Sequence, residues 1–228
     1  MADIIDLQGV EKSYPKPLPT KVLHGINLKF PQGSFNSIIG SSGSGKSTLL
    51  NVMSTLDRPT KGKVFIDGKR TDTMRKNALA ELRNGTIGFV FQFHYLLPEF
   101  TAIENVLLPY QIRHGRVTDE ARARAEELCE LIGISKVKDN PSTKMSGGQQ
   151  QRTAIARALI NNPKVIFADE PTGNLDSETS RTIYRVFREI NRRFDTTFVV
   201  VTHDRRIAEE TDRIVEIKDG RIETDIRR

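Results

Sequence analysis

At 228 residues the chain holds one elaborated domain more comfortably than two complete ones. Its 37% hydrophobic content supports a core and excludes disorder as the dominant state. Thirty-five basic against 29 acidic residues leave a mild excess of +6, which permits a nucleic-acid binder without favouring one, and the lone Cys129 excludes an intramolecular disulfide and fits a reducing compartment.

No apolar run approaches the roughly 18 residues that cross a bilayer. The opening Met1-Ala2-Asp3-Ile4-Ile5-Asp6 has neither a basic region nor an uninterrupted apolar one, so no secretory signal is visible and a cytoplasmic location is expected.

In chain order, residues 4–13 and 22–30 read as strands flanking a loop with Pro15, Pro17 and Pro19. With 63–67, ahead of Gly68, they predict a small antiparallel β layer. Residues 34–39 form a strand, and the run Gly40-Ser41-Ser42-Gly43-Ser44-Gly45-Lys46-Ser47 follows at once, opening a helix over 46 to about 56. Strand, G-x-x-x-x-G-K-[ST] and helix is the context in which small residues turn backbone N–H groups onto a phosphate chain, with a helix N-terminus adding partial positive charge. Lys46 then reaches the β- and γ-phosphates, and Ser47 ligates Mg²⁺.

Residues 87–91 form a strand ending at Gln92. From 93 to about 162 strand signals vanish, and Ala121, Ala125, Leu128 and Ile132 make a helical stripe closed by Gly133, so this stretch is expected to be a helical insertion. Near its end Met145-Ser146-Gly147-Gly148-Gln149 precedes a helix with Ile155, Ala158 and Leu159 facing a core. Ser146 is a good N-cap, yet two glycines in a first turn cost about 1 kcal/mol each, so they serve something other than helix stability. Bare N–H groups there make an anion site.

Residues 164–168 are a buried strand tipped by Asp169-Glu170. In an open α/β sheet ligands bind beyond the carboxyl ends of the strands, so this tip can share a crevice with the phosphate loop. Asp169 suits the Mg²⁺ shell, and Glu170, one residue further out, can deprotonate an attacking water. A helix striped by Ile183, Phe187, Ile190 and Phe194 leads to a strand over 197–202 that ends at His203. Gln92 and His203 are both expected near the γ-phosphate end, Gln92 toward the metal shell or water and His203 toward the γ-phosphate or the lytic water. His24, His94 and His114 sit at no metal-ligand spacing. A hairpin turned by Asp219-Gly220 closes an α/β pattern of strands alternating with helices.

Phosphate loop, Gln92, Ser146-Gly147-Gly148-Gln149, Asp169-Glu170, Asn174-Leu175-Asp176 and His203, in that order, resemble the nucleotide-binding subunit of an ABC transporter over nearly the whole chain. The only departure is Met145 where Leu is usual. The resemblance implies a P-loop NTPase core formed by 1–92 and 163–228, with an antiparallel β layer and a helical subdomain at 93–162, all within one ATPase domain. It also implies ATP and Mg²⁺ as cofactors. Tyr14 would stack on adenine, and Gly40, Ser41, Ser42, Gly43, Ser44, Gly45, Lys46, Ser47 and Thr48 would hold the triphosphate. Ser47, Gln92 and Asp169 would meet the metal, Glu170 would be the base, and His203 a switch at the γ-phosphate. Ser146, Gly147, Gly148 and Gln149 would bind the ATP held by a second copy, so two chains sandwich two nucleotides with Leu175 and Asp176 at the interface.

The stretch 91–106 together with Thr172-Gly173-Asn174-Leu175-Asp176 resembles the lipoprotein-releasing and macrolide- or peptide-exporting branch, in which 96–100 would dock a transmembrane permease. The expected place is then the cytoplasmic face of the inner membrane, peripheral, with no nucleic acid as partner. A GTPase would need Asn-Lys-x-Asp, which is absent, and the DNA-repair ATPases that share Ser-Gly-Gly-Gln need a coiled-coil insertion too long for 228 residues. A regulatory ATPase of the cell-division type is the alternative that the sequence leaves open.

Overall fold

The structure, a computed structural model, describes residues 2–15 and 20–228. Of the expected proline loop, Pro17 and Pro19 lie outside the described residues. The elements run β1 (Asp3–Tyr14), β2 (Thr20–Pro31), β3 (Phe35–Ile39), α1 (Lys46–Met53), β4 (Lys61–Ile66), β5 (Lys69–Arg70), α2 (Lys76–Thr86) and β6 (Ile87–Phe91). Then come α3 (Ala102–His114), α4 (Asp119–Leu131), α5 (Gly147–Leu159), β7 (Val165–Asp169), α6 (Ser177–Phe194), β8 (Thr197–Val201), α7 (Arg205–Ala208), β9 (Arg213–Lys218) and β10 (Arg221–Arg227).

Two sheets result, one in the order β2-β1-β4-β5 and one in the order β10-β9-β3-β8-β7-β6. The first is antiparallel throughout. In the second, β9, β3, β8, β7 and β6 are parallel and β10 closes one edge antiparallel to β9. Parallel strands covered on both faces read as unbroken apolar runs, and β8 shows why. Phe198 and Val200 enter the core against the helices, whereas Val199 and Val201 enter the core against α1 and the β layer. In β7, Ile166 and Ala168 face one core, and Val165 and Phe167 the other.

Among the described residues, 93–162 contains helices and two short 3-10 turns but no strand, only an isolated bridge between Thr101 and Pro141. The stripe of Ala121, Ala125, Leu128 and Ile132 is buried in the helical-side core. Three expectations shift. Helix α1 stops at Met53 rather than near residue 56, because Ser54 caps it and Thr55 turns left-handed at φ 62°. Helix α2 was not foreseen: it buries only Leu79 and Leu82, and its Asn84-Gly85 pair reads as a turn. Phe194 leaves the stripe and is 37% exposed, since α6 ends there with Asp195 left-handed, and the Arg193 guanidinium covers the ring at 5.5 Å.

Candidate active site

Register across the parallel sheet places the site. Phe91 pairs with Asp169 and Asp169 with Val201, while Ile38 of β3 pairs with Val201 from the other side. The residues just past these ends, Gln92, Glu170, His203 and the loop from Gly40, therefore emerge side by side at strand spacings of about 4.8 Å. Each lies within two residues of the end of a buried strand, so the strands set where chemistry can begin.

Backbone conformation shapes the phosphate loop. Gly40, Gly43 and Gly45 have φ of 153°, 79° and 105°, in the region that disfavours side chains. A Cβ on Gly40 would also collide with the Ile217 carbonyl and Ser44 Oγ. The Asp219-Gly220 turn braces the loop from behind, with Gly220 N–H donating to the Ser44 carbonyl at 3.0 Å. Lys46 is buried, and its ammonium donates to the carbonyls of Gly40 at 2.9 Å and Ser41 at 2.8 Å. It lies folded across the loop, and engaging a phosphate means trading these carbonyls for phosphate oxygens.

A cavity of about 470 Å³ opens above the loop, lined by Ser42, Gly43, Lys46, Ser47, Glu170 and His203 among others. Asp169 is hydrogen-bonded to Ser47 of this lining. Burial, and after it the neighbouring Glu170 carboxylate, hold its pKa above the ordinary aspartate range, against the lowering pull of Lys46 and a hydrogen bond with Ser47. A hard hydroxyl and a carboxylate in contact, with phosphates to supply the remaining oxygens, are the donor set that Mg²⁺ favours. Among the described residues no group of three His, Cys, Asp or Glu gathers to cage a metal without phosphate.

Glu170 adopts φ 46°, left-handed for a non-glycine residue. Its N–H donates to the Val201 carbonyl at 2.9 Å and its own carbonyl accepts from Gly173 at 3.0 Å, so the backbone on both sides fixes the bend. The bend turns the carboxylate toward His203, with Oε1 2.8 Å from Nδ1. An ionised carboxylate only accepts, so Nδ1 carries the proton in this pair.

Not every expected site residue joins this cluster. Gln92 donates to Asn174 Oδ1 at 3.1 Å and packs on Gly173, where a Cβ would sit 2.8 Å from its Nε2. Tyr14, 36% exposed, donates to Asp57 at 3.0 Å with the Lys12 ammonium 4.8 Å from its ring centre, and it also contacts Thr48 of α1. Ser146, Gly147, Gly148 and Gln149 do not line the cavity; they form the first turn of α5 beside α6. There Ser146 Oγ accepts from Gln149 N–H, and the Gln149 side chain accepts from Ser146 N–H at 2.9 Å, a reciprocal capping box. Gly148 has a packing reason as well, since a Cβ would lie 2.9 Å from the Thr179 methyl.

Two positioning residues escaped the sequence reading. Gln151 is fully buried and donates to the Pro171 carbonyl at 2.6 Å and the Phe91 carbonyl at 3.3 Å, tying α5 to the segments that carry Glu170 and Gln92. Its signal was available, because it lies one turn before Ile155 on the core face. Arg157 donates to the carbonyls of His94 and Tyr95, each at 2.6 Å, and nothing in an exposed-looking Arg foretold that.

The family model described as "ABC transporter" matches residues 23–173. The chain belongs to the ABC transporter family. Among curated ABC proteins, lipoprotein-releasing system ATP-binding protein LolD 1 of Rhodopseudomonas palustris is 49% identical, the match covering 97% of this chain and 99% of that one. The macrolide export ATP-binding/permease protein MacB of Syntrophobacter fumaroxidans is 48% identical over 97% of this chain but only 31% of its own length. The solved ABC cassette MJ0796, a dimer in a post-hydrolysis state bound to ADP and Pi, superposes with TM-score 0.89 at 41% identity, covering 98% of each chain. Among the described residues of this ABC cassette no helix is long and apolar enough to cross a membrane.

Proposed function

We propose that this chain is the ATP-binding, ATP-hydrolysing subunit of an ABC transporter of the lipoprotein-releasing or macrolide-exporting type, built as a single ATPase domain with a helical subdomain at 93–162. The observation that carries the reading is the register Phe91–Asp169–Val201, which sets Glu170 and His203 opposite the phosphate loop. The loop amides and Lys46 hold the triphosphate. Ser47, Asp169 and Gln92 would hold Mg²⁺, which when bound would neutralise charge on the phosphates. Glu170 accepts a proton from water as its oxygen attacks the γ-phosphorus and the bond to the leaving ADP oxygen breaks. His203, held by Glu170, contacts the γ-phosphate and keeps the base aimed.

Because Ser146, Gly147, Gly148 and Gln149 lie away from their own chain's cavity, they serve the nucleotide of a second copy, with Leu175 and Asp176 at the contact. Tyr14 stacks on adenine. The exposed Phe93, Tyr95 and Leu97 continue into the 96–100 segment that meets a transmembrane permease, which holds the subunit at the cytoplasmic face of the inner membrane.

Two measurements test this. Lys46→Ala should weaken ATP binding more than tenfold by calorimetry, since a methyl cannot replace a charge-assisted contact of about 1.5–3 kcal/mol; unchanged affinity would contradict it. Detergent-solubilised pull-down should recover a multi-span permease. Recovery of division-complex partners alone would favour the regulatory alternative.

A further inference from the structure

Glu170 and His203 form a wall between two cavities. One is the space over the phosphate loop. The other, about 1040 Å³, lies behind them along α6 and is lined by six arginines against four carboxylates. Arg181, Arg185 and Arg192 recur on one stripe of α6 and, among the described residues, make no ion pair or hydrogen bond through their side chains. The other cations of the cavity are engaged. Arg188 pairs with Asp212 at 2.7 Å, Arg206 pairs with Asp204 at 3.0 Å, and Arg193 packs on Phe194.

A second, independent feature lies on the cavity's inner wall. Tyr184 is 4% exposed, and its hydroxyl has no hydrogen-bond partner although it lies close enough to Glu170 and Asp204 to feel their charge. Buried hydroxyls are nearly always partnered, so an orphan donor facing a concave arginine surface calls for an acceptor from outside the chain. Planar guanidinium forks fit tetrahedral oxyanions in two-point contacts.

From the unpaired arginines, the orphaned Tyr184 hydroxyl and the shared Glu170–His203 wall, we infer a second oxyanion site in this chain, separate from the phosphate loop, that takes inorganic phosphate. Its position makes it the receiving chamber for phosphate cleaved at Glu170, and that last step rests on the hydrolytic reading above; the binding itself does not.

The test titrates inorganic phosphate into the full chain saturated with Mg²⁺ and ADP, followed by phosphorus NMR and calorimetry. Wild type should bind one phosphate per chain. Arg181→Gln/Arg185→Gln, both exposed and outside the nucleotide cavity, should weaken it about tenfold by loss of charge-assisted contacts while ADP affinity stays the same. Phosphate should also inhibit steady-state ATP turnover without competing with ATP, and the double variant should relieve that inhibition. Equal phosphate binding by wild type and variant, or phosphate displaced by ADP and hence bound only in the loop, overturns the site. If the chain bound ATP without cleaving it, the proposed function would fail while the titration still decided the cavity.

Discussion

Glu170 pays for its orientation with a left-handed backbone that costs a non-glycine residue of order 1–3 kcal/mol, and it persists because Val201 and Gly173 pin the bend on both sides. Strain held this way aims a carboxylate without asking the side chain to search for its rotamer. Glu170→Gln should bind ATP and dimerise yet lose about 10²–10⁴-fold in turnover, the usual worth of a general base; phosphate release near the wild-type rate would remove Glu170 from that role. Asp169 makes a different trade. Its pKa is raised by burial and by Glu170, so the folded state holds that proton more tightly than the unfolded chain. Stability from this group is therefore present below the unfolded pKa and lost as pH rises through the folded one. Asp169→Asn should raise the thermal midpoint at neutral pH in metal-free buffer, the gain shrinking in acid, while Mg²⁺-dependent ATP binding falls. A melting curve unchanged by the substitution at neutral pH would show that Asp169 carries no such penalty.

Elements matter here through what they press together. Helix α6 buries Ile183, Phe187 and Ile190, and Phe187 meets Phe198 of β8 at 5.0 Å between ring centres and Tyr184 at 5.7 Å. Phe198 is in β8, which leads two residues on to His203, so this aromatic contact supports the strand that carries the site. Phe187→Ala should cost about 3–5 kcal/mol in denaturant unfolding, as deletions of buried Phe do; a loss under about 1 kcal/mol would mean that the core closes over the gap. The stripes that predicted α4 and α6 were legible because period and burial agree along most of their length. Phe194 broke the pattern because its helix ended, and α2 went unseen because two buried leucines make too weak a stripe. Gln151 and Arg157 show the limit for site residues. The helical period marks Gln151 as facing the core, but the partners of both are backbone carbonyls 20 to 63 residues away, which no local pattern encodes.

For the molecule as a whole, the decisive fact is which parts of the site one chain brings together. The phosphate loop, Glu170 and His203 share a cavity, whereas the Ser146 turn packs beside α6 and away from it. Ser146→Arg should therefore leave ATP binding by the monomer intact and abolish the ATP-dependent dimer in sedimentation; a dimer formed with ATP despite the arginine would refute the role in trans. The sequence by itself determined the α/β class, the loop and its flanking strand and helix, and the polar residues at the strand ends, because each is written in contiguous residues whose period and size are set by local sterics. Only the tertiary structure decided the lateral order of the strands, the hydrogen bond between Glu170 and His203, the turn of Gly220 under the loop and the arginine cavity behind the site. Those depend on pairing across 30 to 180 residues, where register is chosen by the fit of two buried faces rather than by any single segment.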